Sequence, residues 1–255
     1  MTAARIPTLE VAAQTHLGRP DEPDLDVFLV RRDLGLAVLA DGVAGWPAGD
    51  VAAQIAVEAV ERCLTVREAG VGVAPPRSAL EAHARLFDAV QYANLCVSNA
   101  RSTHERHRGM GTTIVAVLAC GPVACIAHVG DSRAYHVVDG RCEQLTRDHT
   151  VAGALRAANI PPEFVFPLMG DDTQKRTLGT VPIVVVSGRI VRMQAGEALL
   201  LTSDAFNHLA PDPIGACFSP ARSASATLEQ LFARATETGG RENRTAILHR
   251  HGQCT

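Results

Sequence analysis

Aromatic residues are scarce: the chain has one tryptophan and two tyrosines, and aromatics make up 4% of its 255 residues. Its core must therefore be built from Val, Leu, Ile and Ala. Long apolar runs are missing too. None reaches the ~20 residues needed to span a bilayer, and Met1–Glu10 lacks the basic-then-apolar layout of a signal peptide. No membrane partner is expected, and a cytoplasmic location is. There is no basic stripe, and the formal net charge is −3, which argues against a nucleic-acid partner. The seven cysteines include no Cys-x-x-Cys pair and are odd in number. Buried free thiols are the better reading, ahead of disulfides or a thiolate metal site. With 47% hydrophobic and 20% charged residues, the chain is globular and not disordered.

What is present is a patterned succession of strands and helices without internal repeats. Val27–Val30 and Leu36–Ala40 are short apolar runs joined by Arg31-Arg32-Asp33, a hairpin-like pair of strands. From Asp50 to about Arg67, Ile55, Ala59 and Cys63 recur at helical spacing. After Pro75-Pro76 a second helix starts at Ser78, where Glu81 completes a capping-box pattern and Leu86, Val90, Ala93 and Val97 form a stripe. The period then changes to strands: Thr113–Leu118, Cys125–Val129 and Ala134–Val138, with Asp139-Gly140 as a two-residue hairpin turn. Ile183–Val186 and Ile190–Met193 read as strands around a Ser187-Gly188 turn, followed by Ala198–Thr202. A helix around Ala226–Thr236 and a closing strand, Thr245–His249, complete the chain. Strand runs interleaved with helix pairs imply an α+β fold, an α-β-β-α sandwich of two antiparallel sheets flanked by helices.

Three aspartates end apolar strands: Asp41 after Leu36–Ala40, Asp131 after Ile126–Gly130, and Asp204 after Leu199–Ser203. A charge at the mouth of a buried strand is costly unless compensated, and a metal ion is an efficient compensator. The alternative is that each caps a turn. Around them stand short motifs in order: Asp41-Gly42-Val43-Ala44-Gly45, Gly109-Met110-Gly111-Thr112-Thr113, Val129-Gly130-Asp131-Ser132-Arg133-Ala134-Tyr135, Leu145-Thr146-Arg147-Asp148-His149, Ser203-Asp204-Ala205 and Glu242-Asn243-Arg244-Thr245. Together these six resemble the signature blocks of the metal-dependent type 2C serine/threonine protein phosphatases. The resemblance runs from about Asp26 to Ile247, so residues 1–255 read as a single catalytic domain, with a flap about Val151–Lys175.

The resemblance implies two divalent ions, manganese or magnesium, and the third ion that some members carry. Such hard ions prefer carboxylate, carbonyl and water oxygens. A pair roughly 3.5–4 Å apart can clamp a phosphate and activate a water. By resemblance, Asp41 bridges the two ions, the Gly42 carbonyl binds one, and Asp204 and Glu242 complete the opposite one. Asp26 holds the second ion through water, and Asp131 with Asp204 forms the third, weaker site. Asp41 and Asp204 are thus the candidate catalytic residues and Arg19 the candidate phosphate-binding arginine. The implied substrate is a phosphoserine or phosphothreonine protein, with a cognate serine/threonine kinase as counterpart.

Departures from the family pattern matter. Leu25 stands where the block before Asp26 has a polar residue, and Arg19 lies two residues further away than a simple match allows. Ala44 and Ala205 replace glycines, which would strain a backbone needing positive φ. Glu242 replaces an aspartate, and its extra methylene must be absorbed. Val43 and Trp46 stand where some relatives place histidine. His149 reads as a loop-fixing residue, His104 and His107 as a solvated helix end, and Arg133 as an anchor beneath Asp131. These changes leave open a degenerate, non-catalytic module that binds a phosphoprotein or regulatory partner. A hydrolase acting on small phosphoesters is a further alternative.

Overall fold

The computed structural model describes residues 9–18, 23–66, 73–161, 176–238 and 243–252. Ten strands form two antiparallel sheets: β1 (Leu9–His16), β2 (Asp26–Arg31), β3 (Leu36–Asp41), β4 (Ile114–Cys120), β5 (Val123–Val129), β6 (Arg133–Val138), β7 (Arg141–Gln144), β8 (Ser187–Arg192), β9 (Ala198–Thr202) and β10 (Arg244–His251). One sheet runs β1-β10-β9-β6-β7 and the other β2-β3-β4-β5-β8. The described α-helices are α1 (Gly49–Thr65), α2 (Ala79–Thr103), α3 (Val151–Ala157), α4 (Pro211–Gly215) and α5 (Ala224–Glu237), with short 3₁₀ turns at Glu105–His107 and Asp204–Phe206. The expected α-β-β-α sandwich is what the chain forms.

Three apolar clusters explain the layering. Alternate residues of both sheets, among them Leu39, Val115, Val117, Leu199, Leu201 and Ile247, meet in the middle. The period of two along each strand sends the intervening residues outward. On one outer face Val38, Ala116 and Ala127 pack against α1 and α2. On the other, Tyr135, Leu200 and Leu248 pack against α5. The alanine-rich buried face of α1, with Ala52, Ala53, Ala56 and Ala59, brings that helix close to its neighbours.

Several local rules act as expected. The Ser78 side chain accepts from the Glu81 N–H at 3.1 Å, capping α2. The Glu81 carboxylate, however, reaches back to the Arg77 N–H at 2.8 Å, one residue beyond a capping box. Asp139 and Gly140 take φ of 49° and 76°, the left-handed pair that a two-residue hairpin requires. The six described cysteines are all free thiols.

Three expectations are corrected. Ile183–Val186 is not a strand, and Ser187-Gly188 is not a turn: both residues begin β8, with Ser187 opposite His128 and Gly188 opposite Ala127. A Cβ at Gly188 would stand 2.2 Å from the Ile126 carbonyl oxygen and 2.6 Å from the Phe87 ring, so this glycine serves close packing. His107 is 9% exposed and its ring lies 5.1 Å from that of His104; only His104 is solvated. Neither Ala44 nor Ala205 has positive φ, so neither is strained; left-handed backbone in that first loop falls on Gly45 and Ala48. Of the expected flap, residues 162–175 lie outside the described residues, and α3 forms its first part.

Candidate metal centre

The register of one hairpin creates the first feature of the site. β2 and β3 pair so that Asp26, the first residue of β2, faces Asp41, the last of β3. Both are buried, at 9% and 8% exposure. Asp204 follows β9 in the other sheet, at the start of a 3₁₀ turn over Asp204–Phe206. It is close enough for its charge to act on Asp26. Asp131 sits in the turn between β5 and β6, after Gly130. Sandwich geometry therefore brings carboxylates from both sheets to one end.

Backbone contacts hold the Asp41 loop. The Thr113 N–H donates to the Asp41 carbonyl at 2.8 Å, and the Thr112 hydroxyl donates to the same oxygen at 2.9 Å. The Gly42 N–H donates to the Leu25 carbonyl at 3.0 Å, and the Val43 N–H to the Gly111 carbonyl at 3.1 Å. Leu25, which has no polar side chain to offer, contributes through its backbone. Gly42 also lies against the start of α1. A Cβ there would be 2.4 Å from the Gly49 carbonyl carbon and oxygen.

The electrostatics favour a cation. Burial, reinforced by the charges of Asp204 and Asp24, pushes the Asp26 carboxyl up to about 7, against the lowering effect of hydrogen bonds from Thr245 and Ser203. Its Oδ2 is buried with no hydrogen-bond partner among the described residues. Among those residues no three His, Cys, Asp or Glu side chains enclose a metal on their own. Glu242 and Arg19 lie outside the described residues. A hard ion completes its shell with carbonyls and water, so paired carboxylates rather than a closed side-chain cage suit magnesium or manganese.

A second tier of residues fixes the Asp131 loop. The Asn207 side-chain amide donates to the Asp131 carbonyl at 2.9 Å, and Arg133 donates to the Asn207 carbonyl at 3.3 Å. Arg133 also grips Asp148 with two hydrogen bonds, at 2.9 and 2.6 Å, so it does anchor the turn beneath Asp131. His149 holds the same loop from the other side. Its backbone N–H donates to the Gly130 carbonyl at 2.9 Å, and its ring Nδ1 accepts from the Gly130 N–H at 3.2 Å. Burial first, then the nearby His128 and Arg176, hold the His149 ring down at about 3, so it is neutral and acts as a loop clamp. Gly130 has φ of 109°, and a Cβ there would fall 2.6 Å from the Thr113 side chain. Two further positioning residues carry no role in the sequence reading. Asn207 belongs to no motif. Asn243 sits inside the last block, where it accepts from the Gly18 N–H and donates to the Pro23 carbonyl. Only the neighbouring motif hints at it.

Comparison with known proteins identifies the family. Residues 16–248 match the family described as Protein phosphatase 2C. The serine/threonine phosphatase stp of Listeria welshimeri is 29% identical over 230 residues, covering 89% of this chain and 89% of that one. The serine/threonine protein phosphatase PstP of Mycobacterium tuberculosis is 29% identical over 216 residues, 84% of this chain and 40% of that longer protein. Among solved structures, Stp1 of Staphylococcus aureus superposes with a TM-score of 0.83 at 26% identity, covering 99% of this chain and 98% of that one. The catalytic domain of PstP in complex with two manganese ions superposes with a TM-score of 0.76 at 25% identity, covering 96% and 99%.

Proposed function

The chain belongs to the protein phosphatase 2C family, and from that premise we infer that it is a metal-dependent serine/threonine protein phosphatase. Its substrates are phosphoproteins. The observation that carries the reading is the buried Asp26–Asp41 pair with the Asp204 charge beside it. Such an arrangement is stable near neutral pH only when cations or protons neutralise it.

In this reading Asp41, the Gly42 carbonyl, Asp204 and Glu242 would hold the pair of ions with Asp26 in support, and Asp131 with Asp204 would hold a third. Bound ions of this kind supply Lewis acidity and an activated water for in-line displacement at phosphorus. The chain's own residues do the positioning. Thr112 and Thr113 lock the Asp41 carbonyl, which keeps that carboxylate at the mouth of β3. Ser203 and Thr245, from the opposite sheet, act on the Asp26 carboxyl and partly offset the effect of its burial. The Arg133–Asn207 relay sets the Asp131 turn. We assign Arg19 to the incoming phosphate. The flap from Val151 to Lys175 would govern which partner docks, since loops on a rigid frame carry specificity. No described helix is long and apolar enough to cross a membrane. We place the chain in the cytoplasm opposite a serine/threonine kinase, with residues 1–255 acting as one catalytic domain.

The test is hydrolysis of a phosphoserine or phosphothreonine peptide by the purified chain. Release of phosphate with manganese, lost in excess chelator and recovered on adding metal back, is expected. Undiminished turnover by protein shown to be metal-free would refute the mechanism.

A further inference from the structure

On the other side of the His149 clamp lies a pocket of about 390 Å³, bordered by β8, the end of β5 and the segment linking β7 to α3. Its lining includes Arg147, Arg176, Arg189, His128, His149 and Ser187. We propose that this pocket is a second anion site, which takes a phosphate group through the guanidinium groups of Arg147 and Arg176 and the hydroxyl of Ser187.

Charge is the first reason. The chain as a whole is acidic, at −3, yet among the described residues two of the three arginines lining this pocket, Arg147 and Arg176, have no acidic partner. Of the nearby acids, Glu143 pairs with Arg189 at 3.0 Å and Asp148 is held by Arg133. The Arg147 guanidinium has no hydrogen bond or ion pair among the described residues. Arg176 donates from Nη1 to the Val185 carbonyl at 3.0 Å and meets no carboxylate among the described residues. That leaves the rest of its fork of donors open, a geometry suited to bidentate recognition of phosphate oxygens.

The frame is the second reason. His128 contacts the Arg147 carbonyl through Nε2 at 2.9 Å, and the Arg176 N–H donates to the His149 carbonyl at 2.9 Å. The two imidazoles stack at 4.5 Å and 17°. Because the Gly130 N–H donates to His149 Nδ1, the ring proton belongs on Nε2, which then donates to Ser187 Oγ at 2.9 Å. The Ser187 hydroxyl hydrogen is thereby left to point at a ligand. Both histidines are depressed in pKa by burial, with Arg176 adding to the effect. The cationic charge is therefore carried by the arginines. The frame includes Gly130, the residue before Asp131, so an occupied pocket bears on the loop of the candidate metal site.

Phosphate could reach this site as a second phosphoryl group on a substrate or as the free anion that hydrolysis releases. Both sources rest on the phosphatase reading; the site itself does not. Equilibrium dialysis of labelled inorganic phosphate against the manganese-loaded full chain separates the cases. Two phosphates per chain are expected, one after chelation, and one in the metal-loaded double variant Arg147→Gln/Arg176→Gln. Ser187→Ala should weaken the arginine site several-fold with an unchanged thermal midpoint, so loss of binding is not loss of fold. A single phosphate that survives the double variant unaltered overturns the proposal. Stoichiometry that falls in the double variant but not with chelator upholds the arginine site and refutes the metal reading instead. For peptides, the double variant should shift the ratio of KM between doubly and singly phosphorylated forms by about tenfold. An unchanged ratio overturns the substrate source and assigns the pocket to the free anion.

Discussion

Gly42 and Gly49 stand against each other at the turn from β3 into α1, and their asymmetry makes a sharp test. A Cβ on Gly42 would lie 2.4 Å from the Gly49 carbonyl, whereas ordinary contact begins at 3.4 Å. The neighbour is backbone and not a side chain that can rotate away, so Gly42→Ala must push the loop and helix apart by about 1 Å. Metal–ligand distances tolerate only about 0.2 Å, and a misplacement of 1 Å at a catalytic group typically costs about 100-fold in rate. Overpacking of this kind costs about 1–3 kcal/mol, or roughly 3–10 °C in Tm for a chain of this length. A Cβ on Gly49 meets its nearest atoms only at 3.2 Å, and alanine is the better helix former. Gly42→Ala should therefore lose about 100-fold or more in kcat/KM and weaken manganese binding. Gly49→Ala should stay within about threefold in activity and about 2 °C in Tm. Steady-state kinetics, manganese titration and thermal denaturation of both variants decide it. A Gly42→Ala protein with near-normal kcat/KM and unchanged manganese affinity would refute the argument from close approach and the ligand role of the Gly42 carbonyl.

Asp41→Asn and Asp204→Asn remove charge with little change of volume, so each should abolish turnover while circular dichroism stays native; normal turnover by Asp41→Asn would remove it from the bridging role. Asp131→Ala should spare tight manganese binding, measured by calorimetry, and lower turnover. Glu242→Asp should shift the metal preference from manganese toward magnesium, because magnesium demands stricter distances; an unchanged ratio of the two rates would show that Glu242 is not a ligand. Acid should destabilise the fold through buried neutral histidines. His149 is held at about 3 and His249 at about 4, chiefly by burial, so the unfolded chain takes up protons below pH 6.5 that the folded chain refuses. Stability from these rings is intact above pH 6.5 and falls by about 1.4 kcal/mol per pH unit for each as pH drops toward those values. Urea denaturation between pH 7 and 5 should show a shallower slope in His249→Leu than in the native chain, and equal slopes would count against this account.

Most of the long elements were legible in sequence pattern alone, whereas β1, α3 and α4 were not. The stripe of Leu86, Val90, Ala93 and Val97 and the cap at Ser78 define α2 locally, because helical contacts lie three or four residues apart. Asp139-Gly140 defines its hairpin for the same reason: the left-handed conformation is a property of those two residues. Aspartates at strand ends were likewise visible, since burial of the preceding apolar run is a local inference. Tertiary structure decided the rest. β1, Leu9–His16, carries alanine, glutamine and glutamate in a weak alternation and exists as a strand because β10 lies beside it. Ser187-Gly188, a turn by local preference, became strand because Phe87 and the β5 backbone leave no room for a side chain at residue 188. Asn207 supports Asp131 from 76 residues away, and no spacing rule reaches that far. Likewise, only the β2–β3 register sets Asp26 opposite Asp41, and only the stacking of two sheets brings Asp204 to them, since a charge's partners are fixed by distance in space and not along the chain.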